Sequence, residues 1–101
     1  MPVAYVIVEM HITDPERYKA YMAAAPAAVK AHGGEYLVRG GRHEVLEGDW
    51  QPHRMAMLRF PGYDEAKGFY DSESYRLARE KRDGCTAYFN MVLVEGVAIP
   101  A

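Results

Sequence analysis

Cysteine is almost absent from this sequence, since Cys85 is the single one among 101 residues. It has no partner for an internal disulfide and belongs to no C-x-x-C motif, so disulfide-stabilised scaffolds and redox or zinc sites of that type are excluded. No histidine lies near Cys85 in the sequence. We therefore interpret it as a small apolar residue at the start of a strand, and not as a nucleophile.

Long apolar runs and an excess of positive charge are absent as well. No apolar stretch reaches the roughly 20 residues of a membrane-spanning helix, and residues 1–5 do not resemble the start of a signal peptide. The formal net charge is -2, and the twelve Lys and Arg residues are scattered along the chain, whereas a nucleic-acid-binding domain carries a basic patch. We expect a cytoplasmic protein with no membrane and no nucleic-acid partner.

Metal and cofactor motifs are missing too. The four histidines include no pair at the spacing that binds a metal on a helix, and no dedicated acidic cluster accompanies them. Strand and helix faces account for most of the eight tyrosines and six methionines, so nothing indicates a haem or flavin site. The sequence predicts no metal and no cofactor.

What the sequence does contain is a regular order of strands and helices. Period-two alternation of apolar residues predicts four strands, over residues 4–11, 35–39, 53–60 and 86–95. Helical spacing and caps predict helices over residues 13–33 and 63–82, the second one restarting at Ser72. The order strand, helix, strand, strand, helix, strand predicts a single α+β domain over residues 1–101. Its fold is ferredoxin-like, with one antiparallel sheet that carries its helices on one face.

Two features of this pattern are less regular. Pro26 removes an amide from the interior of the first helix, so we expect a kink or a break there. Residues 43–47 can form a further short extended segment, and Gly40 and Gly41 are expected to end or bulge the strand before it.

A homodimer follows from the apolar character of the first and last predicted strands. Both strands are largely apolar on both faces, yet one layer of helices covers only one face of a sheet. The other face needs a partner, most simply a second copy of the chain. Such a pairing would bury on the order of 1,600 Å² in total.

Arg39 is the first candidate ligand-binding residue. It precedes Gly40 and Gly41, and its guanidinium could clamp a carboxylate with two hydrogen bonds beside free backbone amides. The alternative is an ion pair with Glu47 or Glu95 that fixes the local structure.

Tyr75 and Arg82 are two further candidates. They lie seven residues apart, on one helical face, with Tyr70 just before the Ser72 cap. If that face meets the sheet, a phenol and a guanidinium point into the cleft between the layers, where they suit an aromatic or acidic ligand. The alternative is a core tyrosine and an arginine that extends to solvent.

His11 and Glu47 are the candidates for proton transfer. His11 lies near a strand end, where a modest shift of its pKa by the surroundings would suit it to general acid-base catalysis near neutral pH. A structural histidine with satisfied hydrogen bonds is the alternative.

Several motifs together resemble a known family. They are Gly33-Gly34-Glu35-Tyr36-Leu37-Val38-Arg39-Gly40-Gly41, Glu47-Gly48, Phe60-Pro61, Tyr70-Asp71-Ser72-Glu73-Ser74-Tyr75, Arg82 and Val94-Glu95-Gly96. The combination, which covers almost the whole chain, is similar to the domain-of-unknown-function family DUF1330. The resemblance implies a dimeric α+β barrel, the superfold of cofactor-free antibiotic-biosynthesis monooxygenases, muconolactone-isomerase-like enzymes and haem-binding dye-decolourising enzymes. The resemblance does not imply a particular activity, because the family has no agreed activity and a shared fold does not fix the chemistry.

Three functions remain open at this level. The first is a cofactor-independent homodimeric enzyme acting on a small aromatic or carboxylate compound in a cleft between sheet and helices. There Arg39 would anchor the acid, Tyr70 and Tyr75 would orient it, and His11 or Glu47 would move a proton. The second is a ligand-binding or regulatory dimer without turnover, and the third is a protein whose only task is association.

Overall fold

The computed structural model describes residues 2–98. Its strands are β1 Ala4–Ile12, β2 Glu35–Arg39, β3 Arg54–Phe60 and β4 Thr86–Glu95, and its helices are α1 Pro15–Ala31, α2 Tyr63–Asp71 and α3 Glu73–Glu80. Of the predicted domain, residues 1 and 99–101 lie outside this described part. No helix within residues 2–98 is long and apolar enough to cross a membrane.

The sheet confirms the predicted ferredoxin-like topology. Its strand order is β2-β3-β1-β4, and every neighbouring pair is antiparallel. Both helical segments connect strands that are not neighbours, so they cross one face of the sheet and leave the other without helices. The register pairs Tyr5 with Val94 and Ile7 with Val92 across β1 and β4, which places these four side chains on one face.

The alternation predicted for β1 sets the position of the core. Val6, Val8 and Met10 are buried under the helices, whereas Ile7 and His11 point to the opposite face and are half-buried. We call this opposite side the open face. On the covered face the aromatic residues dominate the packing, and the largest fully buried side chains are Tyr75, Phe60, Phe69, Val29 and Cys85.

Helix α1 begins and ends where the sequence predicts. The Asp14 carboxylate accepts a hydrogen bond from the Arg17 amide at 3.1 Å, Pro15 occupies the first turn, and Gly33 follows the helix with a φ of +78°. A Cβ at the next residue, Gly34, would stand 2.5 Å from the Phe60 ring. Glycine at position 34 therefore allows the chain to pass closely over the core.

Of the kink or break predicted at Pro26, the break is wrong, since α1 runs from Pro15 to Ala31 as one helix. Proline lacks the amide that would bond the carbonyl four residues earlier, which is that of Met22. Arg39 replaces this amide, since its Nη2 donates to the Met22 carbonyl oxygen at 2.8 Å. A side chain from β2 thus satisfies the backbone group that Pro26 leaves without a partner.

The predicted extended segment at 43–47 is wrong. Residues 40–53 form an irregular, exposed loop between β2 and β3. β2 pairs only with β3, and no described residue of the segment 43–47 pairs with the free edge of β2. The loop exposes apolar side chains, among them Leu46 at 86% and Trp50 at 56%.

A double-mutant cycle tests the link between Pro26 and Arg39. We expect Arg39→Ala to lower the free energy of unfolding by about 1 kcal/mol or more, because it leaves the Met22 carbonyl without a donor. In a Pro26→Ala background the restored amide bonds that carbonyl, so the same substitution should cost at least about 0.5 kcal/mol less. Urea unfolding measures both values, and equal losses in the two backgrounds would contradict the link.

Candidate functional site

A cleft of about 600 Å³ lies between the two short helices and β4. Its apolar wall consists of rings and aliphatic side chains from α2 and β4, namely Phe69, Phe89, Met91 and Leu93. Four cations and two carboxylates also line it: Lys67, Arg76, Arg79, Arg82, Glu80 and Asp83. The cleft is therefore aromatic on one side and predominantly positive on the other.

The cations of the cleft differ in whether a carboxylate neutralises them. Arg76 bonds Glu80 at 2.7 Å and Glu73 at 2.9 Å, and Lys67 bonds Asp71 at 2.6 Å. Within residues 2–98, Arg79 and Arg82 form no ion pair. Two permanent charges of the cleft thus have no counter-ion among the described residues.

Arg82 lies flat against the aromatic wall. Its Cζ is 3.6 Å from the ring centre of Phe89 and 5.2 Å from that of Tyr21, a cation-π arrangement that fixes the plane of the guanidinium. Its Nε is buried and has no acceptor among the described residues. The Nη1 and Nη2 groups of Arg82 are not buried in this way and donate to no described residue, so these two groups retain donors for a ligand.

Arg79 is held in a similar way by Tyr70. Its Nη1 donates to the Tyr70 hydroxyl at 2.8 Å, and its Cζ stands 4.5 Å from the ring centre of Tyr70. Its Nε is likewise buried without an acceptor in the described part of the chain. Tyr70 thus positions a second guanidinium in the same cleft.

A second, smaller cavity of about 40 Å³ lies deeper between α1 and the sheet. We call it the inner chamber. Phe69, Phe89 and Met91 line both spaces. The polar groups of the inner chamber come from four tyrosines and two arginines, which are Tyr18, Tyr21, Tyr36, Tyr75, Arg39 and Arg54.

Tyr21 and Tyr75 meet in the inner chamber. Their hydroxyl oxygens are 2.6 Å apart, and the two rings are exposed by only 8% and 0%. Burial raises the pKa of Tyr21, with the neighbouring Tyr75 as a further cause, and burial raises the pKa of Tyr18 to about 12. Tyr21 and Tyr18 therefore stay protonated near neutral pH.

Arg39 lies at the inner chamber and does not make the ion pair considered for it. Its guanidinium bonds the Met22 carbonyl and stands 4.7 Å from the ring centre of Tyr36. Within residues 2–98, Arg39 forms no ion pair with Glu47 or Glu95. The Met22 carbonyl of α1 occupies one N–H donor of the Arg39 guanidinium. Its other N–H donors bond no residue within 2–98.

The proton-transfer candidates lie away from both cavities. His11 is on the open face, where its ring stacks on that of His53 with a centre-to-centre distance of 3.8 Å. His53 Nδ1 is 2.7 Å from the Tyr88 hydroxyl, and a hydrogen bond with Tyr88 is the main cause that lowers the pKa of Glu9. Glu47 is exposed in the loop 40–53. Arg39, Tyr70, Tyr75 and Arg82 thus border the two cavities, and His11 and Glu47 do not.

Sequence reasoning missed several of these residues. Arg79 falls four residues after Tyr75 and three before Arg82, so its helical spacing already placed it on the same face. Tyr21 belongs to the predicted buried stripe of α1, but its contact with Tyr75 depends on how two helices cross. The contacts of His53 with His11 and Tyr88 depend on how the strands are aligned. No pattern in neighbouring residues of the sequence predicts that alignment.

The fold and the cleft define a class of small α+β proteins with a ferredoxin-like sheet and a ligand-sized space under their helices. The family model of DUF1330, a domain of unknown function, matches residues 3–97. The chain belongs to the DUF1330 family. No curated protein matches it in sequence.

Solved structures with similar folds have very different sequences. A protein of unknown function from Rhodopseudomonas palustris is 14% identical, with a TM-score of 0.76, over 95% of this chain and 83% of that one. A dimeric ferredoxin-like protein of unknown function from Thermobifida fusca is 16% identical, with a TM-score of 0.60, over 93% and 91%. A protein from Nitrosomonas europaea, described provisionally as an antibiotic biosynthesis monooxygenase, is 14% identical, with a TM-score of 0.58, over 98% and 93%. At these identities the likeness establishes the fold alone.

The buried phenols predict how stability depends on pH. A tyrosine in an unfolded chain loses its proton near about pH 10, whereas folded Tyr21 keeps it because its pKa is raised. Above that pH the folded state binds more protons than the unfolded state, so stability falls as pH rises, by about 1.4 kcal/mol per unit for one such group. Urea unfolding at several pH values above about 9 measures this slope.

Two variants decide whether Tyr21 causes the slope. Tyr21→Phe should reduce the fall in stability above about pH 10, whereas Tyr63→Phe, at a residue that is 46% exposed, should leave it unchanged. A slope that is the same in all three proteins would contradict this assignment.

Proposed function

We propose that this protein binds a small organic acid with an aromatic or apolar body in the cleft between helices and sheet. The observation that carries the proposal is Arg82, which is stacked on Phe89, has a buried Nε without an acceptor, and has no carboxylate partner within residues 2–98. An oriented guanidinium against a ring suits a carboxylate that is attached to an apolar group. Arg79 adds a second cation that is held by Tyr70.

Energetic considerations support a ligand over a purely structural role. A guanidinium buried at Nε without an acceptor has lost hydration and gained no hydrogen bond there. A ligand carboxylate would accept hydrogen bonds from the Nη groups of the same guanidinium in a partly desolvated site, where charge-assisted hydrogen bonds are strong. The aromatic wall would cover the apolar part of the same molecule.

The geometry favours binding over turnover in the cleft. Tyr18 and Tyr21 of the adjoining inner chamber are protonated donors near neutral pH because burial raises the pKa of both, and the described residues bring no histidine into the lining of either cavity. A cofactor-independent enzyme is the second candidate, and the observation that favours it is the open-face network of Glu9, Tyr88 and His53 beside His11. In that case His11 or Glu47 would move the proton.

The proposed unit is a homodimer paired through the open face. Val92 and Val94 on β4 are exposed by 55% and 44% on that face, next to Ile7 on β1. An apolar sheet face of this kind requires a cover, and the neighbour from Thermobifida fusca is described as dimeric. A second copy of the same face would supply the cover by two-fold symmetry.

Calorimetric titration with benzoate tests the cleft. We expect wild type to bind it and Arg82→Gln to bind about 10-fold to 100-fold more weakly, because a charge-assisted hydrogen bond contributes about 1.5 to 3 kcal/mol. Arg76→Gln is the matched control: it removes a cation of the same cleft that Glu73 and Glu80 already neutralise. It should weaken binding by much less.

Two outcomes would overturn the binding proposal. One is the absence of binding by wild type to benzoate and to aliphatic acids of similar size. The other is an equal loss of affinity in Arg82→Gln and Arg76→Gln, which would indicate only a diffuse positive field.

A pair of substitutions tests the dimer. Val92→Glu places a charge on the open face and should shift the protein to monomers in sedimentation equilibrium, because two such charges would meet in the interface. Leu77→Glu alters a residue of α3 that is 47% exposed and should leave the dimer intact. A monomeric wild type, or dissociation by Leu77→Glu alone, would contradict pairing through this face.

A further inference from the structure

The hydroxyl pair of Tyr21 and Tyr75 has one hydrogen more than it can use. Each phenol carries one donor hydrogen and can also accept. At 2.6 Å one hydroxyl donates to the other, and the hydroxyl that accepts still has its own hydrogen. Neither hydroxyl has another hydrogen-bond partner within residues 2–98. One buried O–H group is therefore left without an acceptor, a state that costs about 1 to 3 kcal/mol when nothing fills it.

The inner chamber lies against this free donor. Its volume of about 40 Å³ exceeds what one water molecule needs, so it can accommodate a water or one oxygen-bearing group. Arg39 and Arg54 also line it, and no carboxylate does. The chamber thus combines donors from phenols and guanidinium groups and contains no charged acceptor of its own.

The inner chamber is also close to the outer cleft. Phe69, Phe89 and Met91 form a wall common to both. The Arg82 guanidinium is 5.2 Å from the ring centre of Tyr21, so it lies against the ring whose hydroxyl belongs to the pair in the inner chamber. A molecule with a carboxylate at one end and an oxygen at the other could contact both.

We propose that the inner chamber is an oxygen-binding subsite, in which the Tyr21 and Tyr75 hydroxyl pair donates to a carbonyl oxygen of the ligand. This inference rests on the proposed function and narrows it: the ligand is an aromatic acid that carries a carbonyl group on the side opposite its carboxylate. Arg82 holds the carboxylate, and the phenol pair selects the carbonyl. In the free protein a water molecule takes the place of the carbonyl oxygen.

A matched pair of probes tests the subsite. Benzoate and 4-formylbenzoate differ only in the carbonyl group, so their affinity ratio isolates its contribution. Wild type should bind 4-formylbenzoate about threefold to tenfold more tightly than benzoate, the gain of one hydrogen bond to a neutral donor. In the double variant Tyr21→Phe/Tyr75→Phe the ratio should fall to about one. Replacing both partners by rings of the same shape is nearly neutral for stability, so this variant should fold, and Tyr63→Phe should keep the wild-type ratio.

The outcomes separate this inference from the proposed function. Equal binding of both probes by wild type overturns the subsite and leaves acid binding in place. If neither probe binds, the proposed function fails, and a high-resolution crystal structure of the free protein then decides the inference. A water within about 3 Å of the hydroxyl pair supports an oxygen site, and a dry chamber overturns it.

Discussion

The hydrogen bond from Arg39 to the Met22 carbonyl links α1 and β2, two parts of the structure that border the inner chamber. Pro26 leaves this carbonyl without its amide, and the guanidinium that replaces the amide comes from β2, at the far end of the sheet. The bond holds α1 over the sheet at the point where the inner chamber opens. A helix interrupted in sequence therefore stays continuous, and a cation is brought to the chamber as a consequence.

Charge pairing then distinguishes the outside of the molecule from the space under its helices. On the surface, cations meet carboxylates within one helical turn or across neighbouring strands, as in the pairs of Arg76 with Glu73 and of Arg59 with Glu35. Such exposed pairs contribute little to stability. Of the arginines around the two cavities, Arg39, Arg79 and Arg82 instead contact rings, a carbonyl and a hydroxyl, whereas Arg76 keeps its carboxylate partners. Because donors outnumber acceptors there, the site is complementary to an oxygen-rich anion with an apolar body.

The fold could be predicted from local patterns, whereas the site depends on contacts between distant segments. Period-two alternation in β1 and the cap at Ser72 are properties of a few consecutive residues, and both predictions are confirmed. The continuity of α1 through Pro26 could not be predicted, because its remedy lies 13 residues away at Arg39. Both faces of β1 are largely apolar in sequence, so nothing local indicated that His11 would lie on the face opposite Arg39. Within the loop 40–53 only the segment 43–47 was mispredicted, because a strand needs a neighbour to pair with and a local pattern does not show whether one is present.

The central claim is that Arg79 and Arg82 hold donors for an acid, and nuclear magnetic resonance of arginine side chains tests it most directly. The Nε–H signals of a ¹⁵N-labelled sample can be followed while benzoate is added. We expect saturable shifts of the Arg79 and Arg82 signals and little change at Arg76, whose donors are occupied by Glu73 and Glu80. Shifts that are equal at all arginines, or absent at Arg79 and Arg82, would contradict it.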